Sequence, residues 1–182
     1  MGVESYKHKF AKTVLTNWLR KAAEEVGPDN SAKISPFSWR VNREKPDFGV
    51  WEEYPIALSE DNRVRGFWPV WDEDGCVVDG VYNFGLYDRW HSKETQRPPS
   101  YDELIRSRLL PAVIFDIAVQ HKGNIFYAIE VVHKNDISEQ KMKFLRRLSA
   151  EGWWGEVYKV SADWILSQVG RPQSIQATRV PL

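Results

Sequence analysis

FDIAVQHKGNIFYAIEVVHKNDISEQKMKFLRR, residues 115–147, is the stretch whose reading decides the fold. Two apolar runs with period-two alternation flank Lys122-Gly123-Asn124, a short loop containing glycine, and this pattern predicts a β-hairpin. Centring the turn on Gly123 sets Phe115 opposite Val131, Ile117 opposite Ile129 and Val119 opposite Tyr127 as one apolar face. The other face then sets Asp116 opposite Glu130, Ala118 opposite Ala128 and Gln120 opposite Phe126. A one-residue slip would set apolar residues against polar ones, so the pattern selects this register. Directly opposed Cβ atoms lie about 4.5–5.5 Å apart, and two carboxylates held there repel each other.

A divalent cation reverses the sign of that interaction. Carboxylate oxygens are hard ligands suited to Mg²⁺ or Mn²⁺. The alternative is a solvated outer face with one acid paired to a lysine. The small Ala118 and Ala128 beside the pair, and the helix that follows, favour a site. That helix is expected over 137–149, with Asp136 as its N-cap and Glu139 three residues on. Ile137, Phe144, Leu145 and Leu148 form its inward stripe, and Lys141 falls on the same stripe, where a lysine is unexpected. Lys141 either snorkels to water or reaches the carboxylates and offsets negative charge there.

Working outward, residues 4–26 read as an amphipathic helix capped by Ser5 and ended by Gly27-Pro28. His8, Lys12, Leu15 and Leu19 share one face, so two polar side chains continue an apolar stripe. They are either a ragged surface end or contacts to a phosphate. Residues 27–47 read as loop. FGVWEEYPIAL (48–58) reads as a strand whose Pro55 points to an edge or a bulge. Strand-like runs around Trp68, Trp71 and Val77 follow, then an exposed loop, then a helix over 100–110 with Ser100 and Glu103 as a capping box. A strand over 154–160, a helix from 162 capped by Ser161, and an irregular tail after Gly170 complete the chain. Mixed strands and helices with hairpins predict an α/β layered architecture.

The chain has 182 residues, suited to one domain with a sizeable core. No apolar run approaches the roughly 18 residues of a membrane span, and the first residues lack the apolar core of a secretory signal. The MGVESY start departs from a myristoylation pattern at Tyr6. One cysteine, Cys76, leaves no intrachain disulfide to form and fits a reducing cytoplasm. The net charge of zero argues against a nonspecific polycation. Basic residues still cluster at Lys7, Lys9, Lys12, Arg20 and Lys21, and again at Lys141, Lys143, Arg146 and Arg147. There is no HExxH, Walker A loop, GxSxG or dinucleotide fingerprint.

Four stretches in order resemble the PD-(D/E)xK nuclease superfamily, and within it the competence-protein CoiA-like nucleases. SYKHKFAKTVLTNWL (5–19) is similar to the family's opening helix, and WEEYPI (51–56) to the acidic strand after it. FDIAV (115–119) stands where the family has its Asp strand, and AIEVVHKNDISEQK (128–141) resembles its Glu strand and following helix. The resemblance leaves 60–110 uncovered, as an expected insertion in a single domain spanning 1–182. It implies a restriction-endonuclease-like core, a central mixed β-sheet flanked by helices. It also implies metal-dependent cleavage of a DNA phosphodiester with Mg²⁺ or Mn²⁺.

Carried over residue by residue, Asp116, Glu130 and the backbone carbonyl of Val131 would hold the metal. His8, Lys12, His133 and Lys134 would contact nucleic acid, and Glu52 or Glu53 would complete the acid cluster, with strand parity turning only one of them inward. Two departures stand out. Phe115 replaces the family's proline, which has no chemical role. Val132 occupies the place of the motif's lysine, so Lys141 from the next helix is the expected substitute, with His133 and Lys134 as nearer alternatives that leave the strand on undetermined faces.

The expected activity is therefore a Mg²⁺-dependent endodeoxyribonuclease, acting on DNA as a homodimer or within a larger DNA-processing assembly, in the cytoplasm and away from membranes. The first rival is a catalytically inactive nuclease-fold protein that binds nucleic acid. The second is a binding module built on Trp68, Trp71 and Trp90, which would stack on bases or serve as core.

Overall fold

The computed structural model describes residues 5–26, 30–41, 48–58, 64–66, 70–71, 77–79, 113–121, 124–150 and 152–182. Helix α1 spans Tyr6–Glu24 and begins as its sequence dictates: Ser5 is extended, and its hydroxyl accepts the His8 N–H at 3.2 Å. Its inward stripe, Ala11, Lys12, Leu15, Leu19, Ala22 and Ala23, is buried.

The expected loop at 27–47 is in part a hairpin. Strands β1 (Ser31–Ile34) and β2 (Phe37–Arg40) pair antiparallel around a cis Ser35-Pro36 bond. Ala32, Ile34, Phe37 and Trp39 alternate inward and are buried in the α1 cluster. The period-two signal was present but short, and Ser35-Pro36 split it.

Strands β3 (Phe48–Leu58), β4 (Val64–Gly66), β7 (Val113–His121), β8 (Asn124–Val132), β9 (Glu156–Ser161) and β10 (Ala177–Val180) form one sheet in the order β10-β9-β8-β7-β3-β4. β5 (Val70–Trp71) and β6 (Val77–Asp79) pair separately. In the main sheet β8 and β9 are parallel and the other neighbours antiparallel. A parallel neighbour needs a crossover, supplied by helix α2 (Glu139–Ala150). Helix α3 (Ala162–Ser167) follows β9, with Ser161 capping it as expected. The chain is thus an α/β protein: a mixed sheet with helices packed against it.

Two clusters lie on the two sides of the sheet. Leu15 and Leu19 of α1 pack with Val50, Ile117, Ile129, Val131, Val160 and Ile165. Leu145 and Leu148 of α2 pack with Tyr54, Ile56, Phe115, Ala118, Ala128 and Val157.

The tail after Gly170 is not irregular throughout. β10 adds an edge strand to β9, with Ala177 beside Val160 and Val180 beside Val157. Before it, the Ile175 N–H donates to the Ser35 carbonyl at 2.6 Å, and the Ile175 side chain is buried. Pro55 lies where β3 pairs only with β7, because β4 pairing begins at Ile56. A missing N–H there breaks no ladder bond on the open side. The helix expected over 100–110, Trp68, Trp90 and Cys76 fall outside the described residues, as does most of the expected insertion.

Candidate active site

The site is built where β7 and β8 part. Their ladder keeps the expected pairs Ile117–Ile129, Ala118–Ala128 and Val119–Tyr127. Toward the turn it slips: Gln120 pairs with Ile125 and His121 with Asn124, so Phe126 is the extra residue of a bulge and not the partner of Gln120. Toward the other end the ladder stops at Ile117–Ile129. Beyond that point β7 pairs only with β3, through Phe115–Tyr54, and β8 only with β9, through Glu130–Lys159 and Val131–Val160. Asp116 and Glu130 are therefore not a directly opposed ladder pair. The Asp116 carboxylate instead spans the gap, accepting the Val131 N–H on Oδ2 at 2.9 Å.

A second irregularity faces it. The β3–β7 register runs through Glu52–Ile117 and resumes at Tyr54–Phe115, and Glu53 between them has φ of 53°. That is the left-handed region, costly for a residue with a side chain. The break reverses the alternation on both strands. Val50 and Ile117 pack on the α1 side, whereas Tyr54 and Phe115 pack on the α2 side. Phe115 consequently leaves the apolar face predicted for it and stacks on Trp153, with ring centroids 6.1 Å apart. Strand parity also fails for the two glutamates, since both turn to α1. Glu52 Oε2 accepts the Thr13 hydroxyl at 3.3 Å, and Glu53 Oε1 accepts Lys12 Nζ at 2.9 Å.

The polar residues on the α1 stripe reach this seam. His8 Nε2 lies 3.2 Å from Asp116 Oδ2. Lys12 is only 3 % exposed, so its contacts are not those of a ragged end. From the opposite layer, α2 delivers Lys141 to Glu130 Oε2 in an ion pair, with its Nζ 6.0 Å from the centroid of the Phe115 ring. The anomaly on the α2 stripe thus resolves as a contact to the carboxylate. Ser138, and not Asp136, caps that helix: its hydroxyl accepts the Lys141 N–H at 3.3 Å. Asp136 instead accepts the Ile137 N–H at 2.8 Å and Lys159 Nζ at 2.6 Å.

The two acids differ in character. Burial pushes both carboxyls up, but the His8 hydrogen bond and the charges of Lys141 and Lys12 outweigh it at Asp116, whose pKa falls below the usual range. Glu130 is pushed up to about 7, chiefly by burial and then by the charge of Asp116, with Lys141 only partly offsetting the rise. Glu130 Oε1 is buried without a hydrogen-bond partner among the described residues.

An unsatisfied buried carboxylate oxygen is costly unless a further group completes it. The donor set fits a hard divalent cation: an ionised Asp116, a Glu130 oxygen with spare capacity, and lysines that balance charge. Among the described residues no group of three or more His, Cys, Asp or Glu side chains gathers in a metal-holding arrangement, so the remaining positions would fall to backbone carbonyl and water.

The structure does not bring every expected residue to the seam. The His133 ring lies against Asp163, with Nδ1 3.6 Å from Oδ1. Lys134 is exposed, with φ of 61°. Val131 contributes an N–H, and a role for its carbonyl rests on the resemblance alone. The Glu53–Lys12 contact, and with it the choice between Glu52 and Glu53, depended on a left-handed residue that no glycine or asparagine announced. Comparison with protein-family models, with curated proteins and with solved structures found no match in any of the three. No helix among the described residues is long and apolar enough to cross a membrane.

Proposed function

We propose that the chain is a Mg²⁺- or Mn²⁺-dependent nuclease that hydrolyses DNA phosphodiester bonds at the Asp116–Glu130 seam. One observation carries the reading: Asp116, Glu130, Lys141, His8 and Lys12, singled out from four separate elements, come together at one seam, where His8 bonds Asp116, Lys141 pairs with Glu130, Lys12 pairs with Glu53, and the charges of Lys12 and Lys141 act on Asp116. The mixed sheet with helices packed against it also supports it, since the resemblance implies a central mixed sheet flanked by helices.

Asp116, Glu130 and the Val131 carbonyl would hold the metal, which when bound activates a water and neutralises phosphate charge. The protein's own residues then act as follows. Asp116 stays ionised because His8, Lys12 and Lys141 stabilise its charge. The Val131 N–H fixes its carboxylate before any substrate arrives. Lys141 is carried by the first turn of α2, whose cap sets its direction, and its ammonium offsets negative charge on the phosphate or orients the attacking water. His8 stands beside Asp116 where it can reach the nucleic-acid backbone, whereas Lys12, expected to do the same, is buried on Glu53 and acts through its charge on Asp116.

The test is nicking of a supercoiled plasmid with Mg²⁺, with EDTA, and with Asp116→Ala and Glu130→Ala. Metal-dependent nicking that both substitutions abolish supports the reading. Failure to cleave single-stranded, duplex or branched DNA, together with no Mg²⁺ binding by calorimetry, overturns it. A second reading, a nuclease fold that binds nucleic acid without hydrolysis, draws on Val132 at the usual lysine position. Binding without turnover would favour it.

A further inference from the structure

Beside the seam lies a second cluster of charged side chains. Lys7 precedes His8 on α1, His133 follows Val131 by two residues, and Asp163 stands in the first turn of α3. Asp163 Oδ1 is 3.8 Å from Lys7 Nζ and 3.6 Å from His133 Nδ1. Neither distance is a hydrogen bond. Lys7 and Asp163 are 63 % and 67 % exposed, so this contact contributes little to stability. His133 differs: its side chain is 11 % exposed, and its Nδ1 is buried with no hydrogen-bond partner among the described residues. A tight turn, in which the Asn135 N–H donates to the His133 carbonyl at 2.7 Å, holds it in place.

We infer that Lys7 and His133 form a phosphate subsite next to the seam, and that the Asp163 carboxylate occupies in the free protein the place that a backbone phosphate of the substrate takes. The inference rests on the nuclease reading and specifies how the strand is held. Lys7 lies on an element that touches Asp116, and His133 directly follows another. His8 and Val131 are the hydrogen-bond partners of Asp116, and Lys7 and His133 are one and two residues away from them. Consecutive Cα atoms are about 3.8 Å apart, so the subsite adjoins the carboxylate seam. A carboxylate and a phosphate oxygen present the same acceptor chemistry to a lysine and an imidazole. The phosphodiester carries the same single charge on two non-bridging oxygens, so exchange gives the unsatisfied His133 nitrogen a partner while an exposed aspartate returns to water.

The experiment is fluorescence anisotropy of a labelled single-stranded oligodeoxynucleotide, in EDTA so that nothing is cleaved, over a range of salt. Wild type is compared with Asp163→Asn, Lys7→Gln and Glu24→Gln, the last making the same charge change at the far end of α1. Asp163→Asn is expected to tighten binding several-fold and Glu24→Gln to leave it unchanged. Lys7→Gln is expected to weaken binding and lower the salt slope by about one. Equal effects of Asp163→Asn and Glu24→Gln, or an unchanged slope in Lys7→Gln, overturn the subsite alone. If wild type binds no nucleic acid with or without metal, the nuclease reading falls, and the subsite with it.

Discussion

Glu130 is the residue on which the site turns. Its pKa, raised from the ordinary value of 4.5 to about 7, ties the metal-free protein's stability to pH. A carboxyl with a raised folded-state pKa binds its proton more tightly when folded. Its contribution is full below about 4.5 and is lost as pH rises through about 7. Urea unfolding in EDTA should therefore show a decline across that window, and Glu130→Gln should remove it. Asp116 has the opposite sign: its lowered pKa stabilises the fold above the usual carboxylate range, and that contribution disappears as pH falls. Lys141→Met should separate two roles of the lysine. It is expected to slow nicking while raising Mg²⁺ affinity in calorimetry, because the ammonium now on Glu130 competes with a cation. Lys141 was legible in the sequence, since a charged residue on an apolar stripe is an anomaly that helical periodicity exposes. His8 and Lys12 were legible for the same reason.

The elements carry a different lesson. α1, β3, β8, α2 and β9 followed from alternation, apolar stripes at helical spacing and caps. β1 and β2 did not, because four-residue strands split by Ser35-Pro36 give too short a signal. Least legible was the reversal at Glu53, where the left-handed backbone turns two neighbouring glutamates toward one helix. That contact makes a prediction. Glu53→Ala leaves Lys12, only 3 % exposed, without its Glu53 partner, whereas Lys12→Met replaces a buried charge by a side chain of similar shape. Glu53→Ala should thus lower the thermal midpoint more than Lys12→Met does. Ser5→Ala should cost about 1 kcal/mol of stability through the lost cap.

Across the molecule, the termini of the described chain are drawn into one body. Arg171 pairs with Glu25 at the end of α1, Ile175 is held by Ser35, and β10 closes the β9 edge. Removal of residues 171–182 is therefore expected to lower the midpoint and promote association, because it uncovers an unpaired strand edge and the pocket of Ile175. The sequence read this tail as irregular, since Ala177–Val180 is too brief to alternate convincingly and its partner is β9, whose strand was predicted without a neighbour on that side.

The seam between β7 and β8 is sewn by a side chain where main chain would ordinarily do it. One oxygen of Asp116 serves as a substitute carbonyl for Val131, so the same atom that would do chemistry also keeps two strands from drifting apart. An alanine there removes thread and tool together. An asparagine keeps an acceptor for the Val131 N–H and discards only the charge. Asp116→Asn should thus unfold at a higher midpoint than Asp116→Ala, losing only the charge contribution, and still be inert toward DNA, which makes it the variant on which to trap a bound strand.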